Sequence, residues 1–313
     1  MKSLPLCLYR YCLIVCCFLG TAKMAFAQTD GDALMIPKNF YCAGVIYANN
    51  SWTNYWEGTF KRDNGNIGTL TTNSYTMVGN YGITNKLGIL FSVPYITTNA
   101  SSGTLKGQSG FQDLELTLKW LAFKQPIGKG NLTFFAIVSG SVPLSNYEAD
   151  FDPVSIGLHS TSAMFRGLLN YKTTGGFFIT GSGQFIQRSD ITIDRNSYYT
   201  TELIYSNQVY MPNANNIMLS SGYQHGKIYA AASISQATTL GGFDIRKNDM
   251  PFPSNRMNAT TAGAMAKYSF GTVSGLELTA GGNYVLNGRN VGQSTTYYGG
   301  VLYLFDFSKK NTK

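Results

Sequence analysis

The chain has 313 residues and a formal net charge of +8, and 13% of its residues are charged whereas 14% are aromatic. So few charges exclude an ordinary soluble surface, and 34 glycines exclude a mostly helical protein. The basic residues are scattered and form no cluster, so we expect no nucleic-acid partner.

Residues 1–27 have the composition of a secretory signal peptide. The stretch begins with basic residues, continues through the apolar run Tyr11–Gly20 and ends in Ala-Phe-Ala, a small-x-small cleavage site. The apolar run is too short to cross a bilayer as a helix. We therefore expect an exported mature domain, 28–313, in which Cys42 is the one remaining cysteine and no intramolecular disulfide forms.

Twelve segments of the mature region alternate apolar and polar residues, which predicts β-strands with one apolar face. In chain order they are 38–48, 70–82, 87–98, 111–123, 131–143, 161–172, 176–188, 214–224, 226–238, 259–270, 275–287 and 294–306. Short connections, predicted at 83–86, 124–130, 173–175, around 225 and at 271–274, alternate with mostly longer ones. This alternation is typical of barrels that combine short periplasmic turns with long outer loops.

The second hairpin shows where the apolar face goes. In its return strand Leu87, Ile89, Phe91, Val93 and Tyr95 share one face. A transmembrane β-barrel turns such a face to lipid and pairs every backbone amide around a closed cylinder. We therefore predict an all-β fold: a closed antiparallel transmembrane β-barrel of about 12 strands, with both termini in the periplasm, in the outer membrane. A soluble β-sandwich is the alternative.

The stretch Tyr198–Tyr210 also has strand character. Counting it as a strand would make the strand number odd and would move the 239–258 connection to the periplasmic side. We interpret it as the extended upper part of the neighbouring hairpin.

Strand parity predicts which side chains face the lumen. In FQDLELTLKWLAF (111–123), the leucines at 114, 116 and 118 and Trp120 face lipid, so the charged residues between them face inward. The predicted pore-lining residues are Asp113, Glu115, Lys119, Arg166, Lys172, Phe178, Tyr229, Lys267, Glu277 and Tyr298. Because both signs of charge occur, they predict either a stabilising network between neighbouring strands or a charged lining that selects solutes.

The outer loop Leu240–Thr260 combines aromatic residues, prolines and mixed charges. Prolines reduce the entropy lost on ordering, so a fixed loop is predicted, which could fold inward as a constriction. The constriction candidates are Phe243, Asp244, Arg246 and Phe252 in this loop and Arg289 in the last outer loop. The glycines of Gly103–Gly110 would also allow a reversal into the lumen. The alternative is that both loops pack on the surface.

The sequence does not predict an enzyme. The chain has two histidines, and one of them, His159, precedes Ser160. A membrane-embedded hydrolase would use this histidine and a serine for catalysis. Adjacent strand residues point to opposite faces, however, which weakens that reading. No Cys or His pair has the spacing of metal ligands, and no phosphate-binding glycine motif opens a helix. We expect neither a metal nor a cofactor.

Three stretches resemble the bacterial outer-membrane family named for the MetA pathway of phenol degradation. They are YGITNKLGILFSVPYITT (81–98) with FQDLELTLKW (111–120), LGGFDIRKNDMPFPSNRMNAT (240–260) and VLNGRNVGQSTTYYGG (285–300). The resemblance implies an outer-membrane barrel that passes hydrophobic or aromatic compounds. Its expected partners are outer-membrane lipid, small hydrophobic solutes and, through the aromatic last strand TTYYGGVLYLFDF, the barrel-assembly machinery. A closed structural or adhesive barrel without transport is the alternative.

Overall fold

The structure is a computed structural model that describes residues 28–246, 249–270 and 275–307. Twelve long strands form one closed antiparallel barrel, which confirms the predicted fold class. They are β1 (Phe40–Trp52), β2 (Leu70–Gly82), β3 (Leu87–Ala100), β4 (Asp113–Ile127), β5 (Gly130–Pro143), β6 (Ser162–Thr173), β7 (Phe177–Arg188), β8 (Ala214–His225), β9 (Ile228–Thr239), β10 (Asn258–Ser269), β11 (Leu276–Arg289) and β12 (Thr295–Asp306). The predicted signal peptide, 1–27, and the predicted turn at 271–274 lie outside the described residues.

The barrel closes between its first and last strands. Strands β1 and β12 pair from Phe40↔Asp306 to Ser51↔Thr295, and every other long strand pairs with its neighbours in the chain. One further short strand, Ser109–Phe111, pairs with β3 at the rim. Closure removes the free edge of the sheet, so its backbone N–H and C=O groups are hydrogen-bonded within the cylinder.

The predicted turn at 124–130 is mostly wrong. Strand β4 continues to Ile127 and β5 begins at Gly130, which leaves a two-residue turn. A bulge between Leu121 and Phe123 shifts the register, so that Lys124 pairs with Thr133 and the hairpin extends. Gly128 supplies the positive φ of 55° that this tight turn requires.

The outward face of the barrel is apolar. On β4, Leu116, Leu118 and Trp120 are each about half exposed, whereas Lys119 between them is fully buried on the inside. Among the described residues no helix is long and apolar enough to span a membrane, and the one helical element is the short 3-10 turn Ala149–Phe151. An exposed apolar face on a cylinder of paired strands is the arrangement that lipid stabilises.

Placing a charge on this face is expected to prevent insertion into lipid. Leu118 lies near the middle of β4 and points outward, and a lysine at the bilayer midplane costs about 2–4 kcal/mol. We expect Leu118→Lys to lower the midpoint of urea-dependent folding into lipid vesicles, followed by heat-modifiable gel mobility. Leu118→Val is the control, and equal midpoints for the two variants would contradict the lipid-facing assignment.

Three outer connections pack together as a cap above the barrel. Their shared cluster contains Ala149, Ile191, Ile193, Tyr198, Val209, Met211 and Phe252. Within 198–210 the chain forms only two-residue pairings, Tyr198–Tyr199 with Leu203–Ile204 and Ile191–Thr192 with Gln208–Val209. This stretch adds no strand to the barrel, as the sequence interpretation predicted.

Candidate functional site

The residues before β1 fill the lumen of the barrel. We call Gln28–Pro37 the lumen segment. Gln28, Asp32, Leu34 and Ile36 are all buried, and Ile36 is 0% exposed. A β-carbon at Gly82 would collide with the carbonyl oxygen of Pro37, so glycine there allows the segment to lie directly against the wall. Nothing in the strand pattern predicted this segment.

Alternate residues of the lumen segment contact different parts of the wall. Leu34 packs with Phe178 on β7 and Tyr229 on β9, whose rings stack with centroids 5.2 Å apart. Ala33 and Met35 pack against the buried cluster formed by Phe135, Ile137 and Leu168. Ile36 packs with Phe40, Cys42 and Leu302 near the closing seam. The segment is therefore held from several sides of the cylinder.

Asp32 joins opposite walls of the barrel. Its Oδ1 lies 3.1 Å from Lys119 Nζ on β4, and its Oδ2 lies 2.9 Å from Lys267 Nζ on β10. Strands β4 and β10 are separated by five strands in either direction around the ring. Lys119 Nζ also donates to the carbonyl oxygens of Thr29 at 2.6 Å and of Asp32 at 2.7 Å. A buried charge must be paired in this way, because its desolvation costs several kcal/mol.

A local turn orients the Asp32 carboxylate. The backbone N–H and the hydroxyl of Thr29 each donate to Oδ2 at 2.9 Å, and the N–H of Leu34 donates to Oδ1 at 3.0 Å. Such side-chain-to-backbone bonds are typical of aspartate in turns. The sequence Thr29-Asp-Gly-Asp-Ala33 thus presents one carboxylate, preorganised by its own backbone, to two lysines.

A second ion pair holds the start of the lumen segment. Asp30 Oδ2 accepts a hydrogen bond of 2.7 Å from Arg166 Nη1 on β6, and Arg166 Nη2 donates to Gln184 Oε1 at 2.6 Å. The Asp30 side chain is 43% exposed. Water screens such a pair, so it contributes less than the Asp32 pairs do.

The structure places the other predicted pore-lining residues at several levels of the lumen. Asp113 accepts a hydrogen bond of 2.6 Å from Tyr147, and Glu115 accepts one of 3.1 Å from Thr117. Lys172 donates to Gln224 Oε1 at 2.9 Å. Glu277 is buried, and Tyr298 is partly buried with its hydroxyl beside Gly281. Their role in lining a conducting path stays a prediction.

Asp30 and Asp32 are the functional residues that sequence reasoning missed. The parity argument used only strand residues, so the partners of Lys119, Arg166 and Lys267 were expected on neighbouring strands. The structure adds two carboxylates from outside the strands. The available signal was the composition of the lumen segment, in which two acids precede the apolar run Ala33–Ile36 directly after the predicted cleavage site.

The predicted constriction loop packs against the other outer loops, which corresponds to the alternative interpretation. Phe252 is buried and stacks on Tyr198 with ring centroids 5.3 Å apart, and Phe243 lies 6.2 Å from Phe252. Arg246 lies over the ring of Tyr199 at 4.3 Å. The loop thus forms part of the cap. The other glycine-rich loop folds back on its own strand, since a β-carbon at Gly107 would collide with the carbonyl of Thr98.

A bidentate ion pair anchors the cap to the last hairpin. Arg289 donates to the two carboxylate oxygens of Asp244 at 2.7 and 2.6 Å, and Asn290 Nδ2 donates to Oδ1 at 2.7 Å. The hydrogen bonds from Arg289 lower the pKa of Asp244 from 3.8 to about 2. Paired forks of this kind fix geometry as well as charge.

The lowered pKa predicts that the cap stays anchored in moderate acid. A depressed carboxylate pKa stabilises the fold at pH values above 3.8, and this contribution is lost only as the pH falls through about 2. A nitroxide attached at Met250→Cys should therefore give the same electron paramagnetic resonance line shape at pH 8 and pH 5. It should become mobile near pH 2. Adding Asp244→Asn should mobilise the label at every pH, whereas Asp249→Asn, in a more exposed pair, is the control. A label already mobile at pH 5 would refute the anchor.

The hydrolase alternative gains no geometric support. The hydroxyl of Ser160 donates to the carbonyl oxygen of Ser189 at 2.6 Å, while the His159 ring packs edge-on against Tyr147 at 4.9 Å. Within 28–246, 249–270 and 275–307, no three His, Cys, Asp or Glu side chains come together as a metal site would need.

Two cavities flank the lumen segment. One, of about 240 Å³, lies between Gln28–Asp30 and the wall of β1–β4, and its wall side chains include Val78, Leu90, Phe91 and Leu302. The other, of about 590 Å³, opens at the end with the short turns and is lined by residues of β4, β5, β6 and β8. The space left for a solute is therefore divided and partly apolar.

Among the solved structures that match, an outer membrane channel has a similar architecture. The COG4313 outer membrane channel from Pseudomonas putida F1 matches with a TM-score of 0.69 and 16% sequence identity, over 90% of this chain and 100% of that chain. The two chains share one fold. The translocator domain of the autotransporter NalP from Neisseria meningitidis (TM-score 0.46, 11% identity, 86% of this chain and 90% of that chain) is less similar. So is a Pseudomonas aeruginosa FadL homologue (TM-score 0.35, 11% identity, 87% of this chain and 91% of that chain).

No protein-family model matches the chain, and no curated protein matches it. The resemblance to the family named for the MetA pathway therefore stays a prediction.

Proposed function

We propose that this protein is a passive outer-membrane channel for small hydrophobic or aromatic solutes. The observation that supports this best is the lumen itself, where Leu34 of the lumen segment meets the stacked rings of Phe178 and Tyr229. A solute that leaves water for such surfaces gains roughly 25 cal/mol for each Å² of apolar area it buries. The flanking cavities would hold a small molecule without requiring a wide aqueous pore.

The similarity in fold to the COG4313 outer membrane channel supports the same proposal, since that protein is named as a channel. The proposed partners are outer-membrane lipid on the outward face and small hydrophobic solutes in the lumen. The barrel-assembly machinery is a proposed partner during biogenesis, because β12 and the residue after it present Tyr303, Phe305 and Phe307 in an aromatic row.

Uptake of a fluorescent apolar dye tests the proposal. N-phenyl-1-naphthylamine fluoresces once it passes an intact outer membrane, so cells expressing the protein should show faster uptake than cells with an empty vector. Replacing both Phe178 and Tyr229 with serine should reduce the rate, because the apolar contacts of the lumen are lost. Tyr297→Ser, on the outward face with 68% exposure, is the control. Uptake no faster than in vector cells would reject a channel for apolar solutes.

A closed structural or adhesive barrel is the second candidate. The filled lumen and the packed cap favour it, since the cluster around Tyr198 and Phe252 gives the outer surface a fixed shape. Deleting 240–257 separates the two functions: an adhesin should lose surface binding, whereas dye uptake through a channel should persist or increase.

A further inference from the structure

The cavity at the short-turn end of the barrel has an uncompensated positive lining. Its volume is about 590 Å³, and it is lined by Lys124 on β4, Lys172 on β6 and His225 at the end of β8. Among the residues that the structure describes, no Asp or Glu lines it. Glu277 and Asp306 belong to β11 and β12, which lie across the barrel from β5.

These two lysines differ from the three cations that hold the lumen segment. Lys119, Arg166 and Lys267 each contact a carboxylate of the lumen segment. Lys172 instead donates to the neutral amide oxygen of Gln224 at 2.9 Å, and Lys124 is exposed. Cationic clefts with low-dielectric walls concentrate anions, because the walls focus the field into the cleft.

Strand pairing places the two lysines on either side of one strand. Lys124 pairs with Thr133, and Lys172 pairs with Asn131, so both flank the same stretch of β5. Adjacent strands lie about 4.8 Å apart, and flexible lysine side chains can converge over the strand that separates them. Asn131 adds an amide donor to the same wall, whereas the hydroxyl of Thr133 already donates to the carbonyl oxygen of Asn170 at 3.2 Å.

The inner part of this cavity is apolar. Leu34 and Met35 of the lumen segment form one side, and Leu121 and Phe135 of the wall form the other. Phe135 is 2% exposed and belongs to the buried cluster against which Met35 and Leu121 pack, so Met35 and Leu121 carry the accessible apolar surface. The site therefore combines cations at its mouth with a hydrocarbon surface behind them, which is the usual composition of a pocket for amphipathic ligands.

We propose that this cavity binds the carboxylate of an amphipathic organic acid, with an aromatic or short aliphatic body lying against Met35 and Leu121. This inference rests on the proposed function and narrows its solute class to organic anions with an apolar body. The lumen segment supplies part of the pocket floor, so the bound acid would contact the same segment that fills the barrel.

Calorimetry with a matched pair of probes tests the assignment. Phenylacetate and 2-phenylethanol have closely similar skeletons and differ in charge, so only the first uses the lysines. In detergent-solubilised full-length protein we expect phenylacetate to bind more tightly. Lys124→Gln with Lys172→Gln should weaken phenylacetate binding about tenfold or more, because charge-assisted hydrogen bonds are lost, and should leave 2-phenylethanol unchanged. Replacing both lysines with arginine should retain phenylacetate binding. Lys106→Gln, in an exposed outer loop, is the control.

The outcomes separate this inference from the proposed function. Equal phenylacetate affinity in the wild type and the double glutamine variant would overturn the carboxylate site. Equal affinity of the wild type for the two probes, with dye uptake intact, would reject the anion preference and leave the channel standing. Loss of dye uptake together with absence of binding by both probes would reject the channel and the site together.

Discussion

Replacing Asp32 with asparagine is expected to release the lumen segment from the barrel wall. Asparagine keeps the size of the side chain, but its single carbonyl oxygen can replace only one of the two carboxylate oxygens that accept from Thr29 and Leu34. It cannot neutralise Lys119 and Lys267, whose side chains are no more than 2% exposed. Removing one partner of a buried ion pair costs about 3–5 kcal/mol because an uncompensated charge stays behind. Expulsion of the segment, which hydrates both lysines, becomes the favourable alternative.

A cysteine introduced at Ala33 reports this release. Ala33 packs against the buried wall cluster, so Ala33→Cys in the wild-type background should react slowly with a polyethylene-glycol maleimide under native conditions. Adding Asp32→Asn should increase the labelling rate greatly. Asp30→Asn is the matched control, because the Asp30 side chain is 43% exposed and exposed ion pairs contribute about 0–1 kcal/mol.

A triple variant separates charge from shape. If buried charge is the cause, Asp32→Asn combined with Lys119→Met and Lys267→Met should again label slowly, since apolar replacement of a whole buried ionic group is often neutral or stabilising. Slow labelling of the single Asp32→Asn variant would show that apolar contacts, such as those of Ile36, hold the segment without the ion pairs.

The strands were predictable from sequence because each carries its own signal. Strand β2 was predicted at its observed bounds, and β3 differs only at its end, since alternation with a period of two needs no knowledge of the partner strand. The prediction of the β4–β5 hairpin was less accurate because a β-bulge depends on how two strands pair, which the sequence of one strand does not show. The residue types from Leu121 to Phe123 do not indicate the position at which two residues of β4 face one residue of β5.

The lumen segment was not predictable in the same way. Its apolar run Ala33–Ile36 does not alternate with polar residues, so it gives no strand signal. Its partners are also far away in the chain: Asp32 bonds to Lys119, 87 residues later, and to Lys267, 235 residues later. Parity placed both lysines on the inside but could not state which carboxylate would meet them. Charge balance would have located the lumen segment, because buried lysines require an anion and two acids lie just before β1.

The cap shows the same limit. Its composition predicted an ordered loop, and its prolines and aromatic residues are ordered, with Phe252 6% exposed. Whether that loop enters the lumen or packs on its neighbours depends on the space already occupied. Here the lumen segment occupies the interior and the 189–213 connection supplies apolar partners such as Ile193 and Met211.

Deleting residues 29–37 is expected to convert the filled barrel into an open, anion-selective pore. The twelve strands close through β1 and β12 without the lumen segment, so the cylinder should still fold. A barrel of twelve strands lies between eight-stranded barrels, which side chains fill, and porins of 16–18 strands, which hold an aqueous channel. Its interior is therefore wide enough for water once the segment is gone.

Selectivity follows from the charges that remain. The deletion removes Asp30 and Asp32, and the four inward cations Lys119, Arg166, Lys172 and Lys267 then outnumber the inward acids Asp113, Glu115 and Glu277 on the wall. Planar-bilayer recordings should show a conductance several-fold above that of the full chain, and the reversal potential in a salt gradient should favour anions. Adding Lys119→Gln and Lys267→Gln should reduce the anion preference while keeping the pore open.

The control is a deletion of 103–107 in the outer loop between β3 and the rim strand, which leaves the lumen segment intact and should leave the conductance unchanged. If the barrel without 29–37 still conducts no more than the full chain, the barrier lies elsewhere, and the cap around Phe252 is the remaining obstruction. The lumen segment controls passage if its deletion both opens the pore and makes the pore prefer anions. The preference for anions is expected because the lysines on the wall lose the carboxylates that neutralise them.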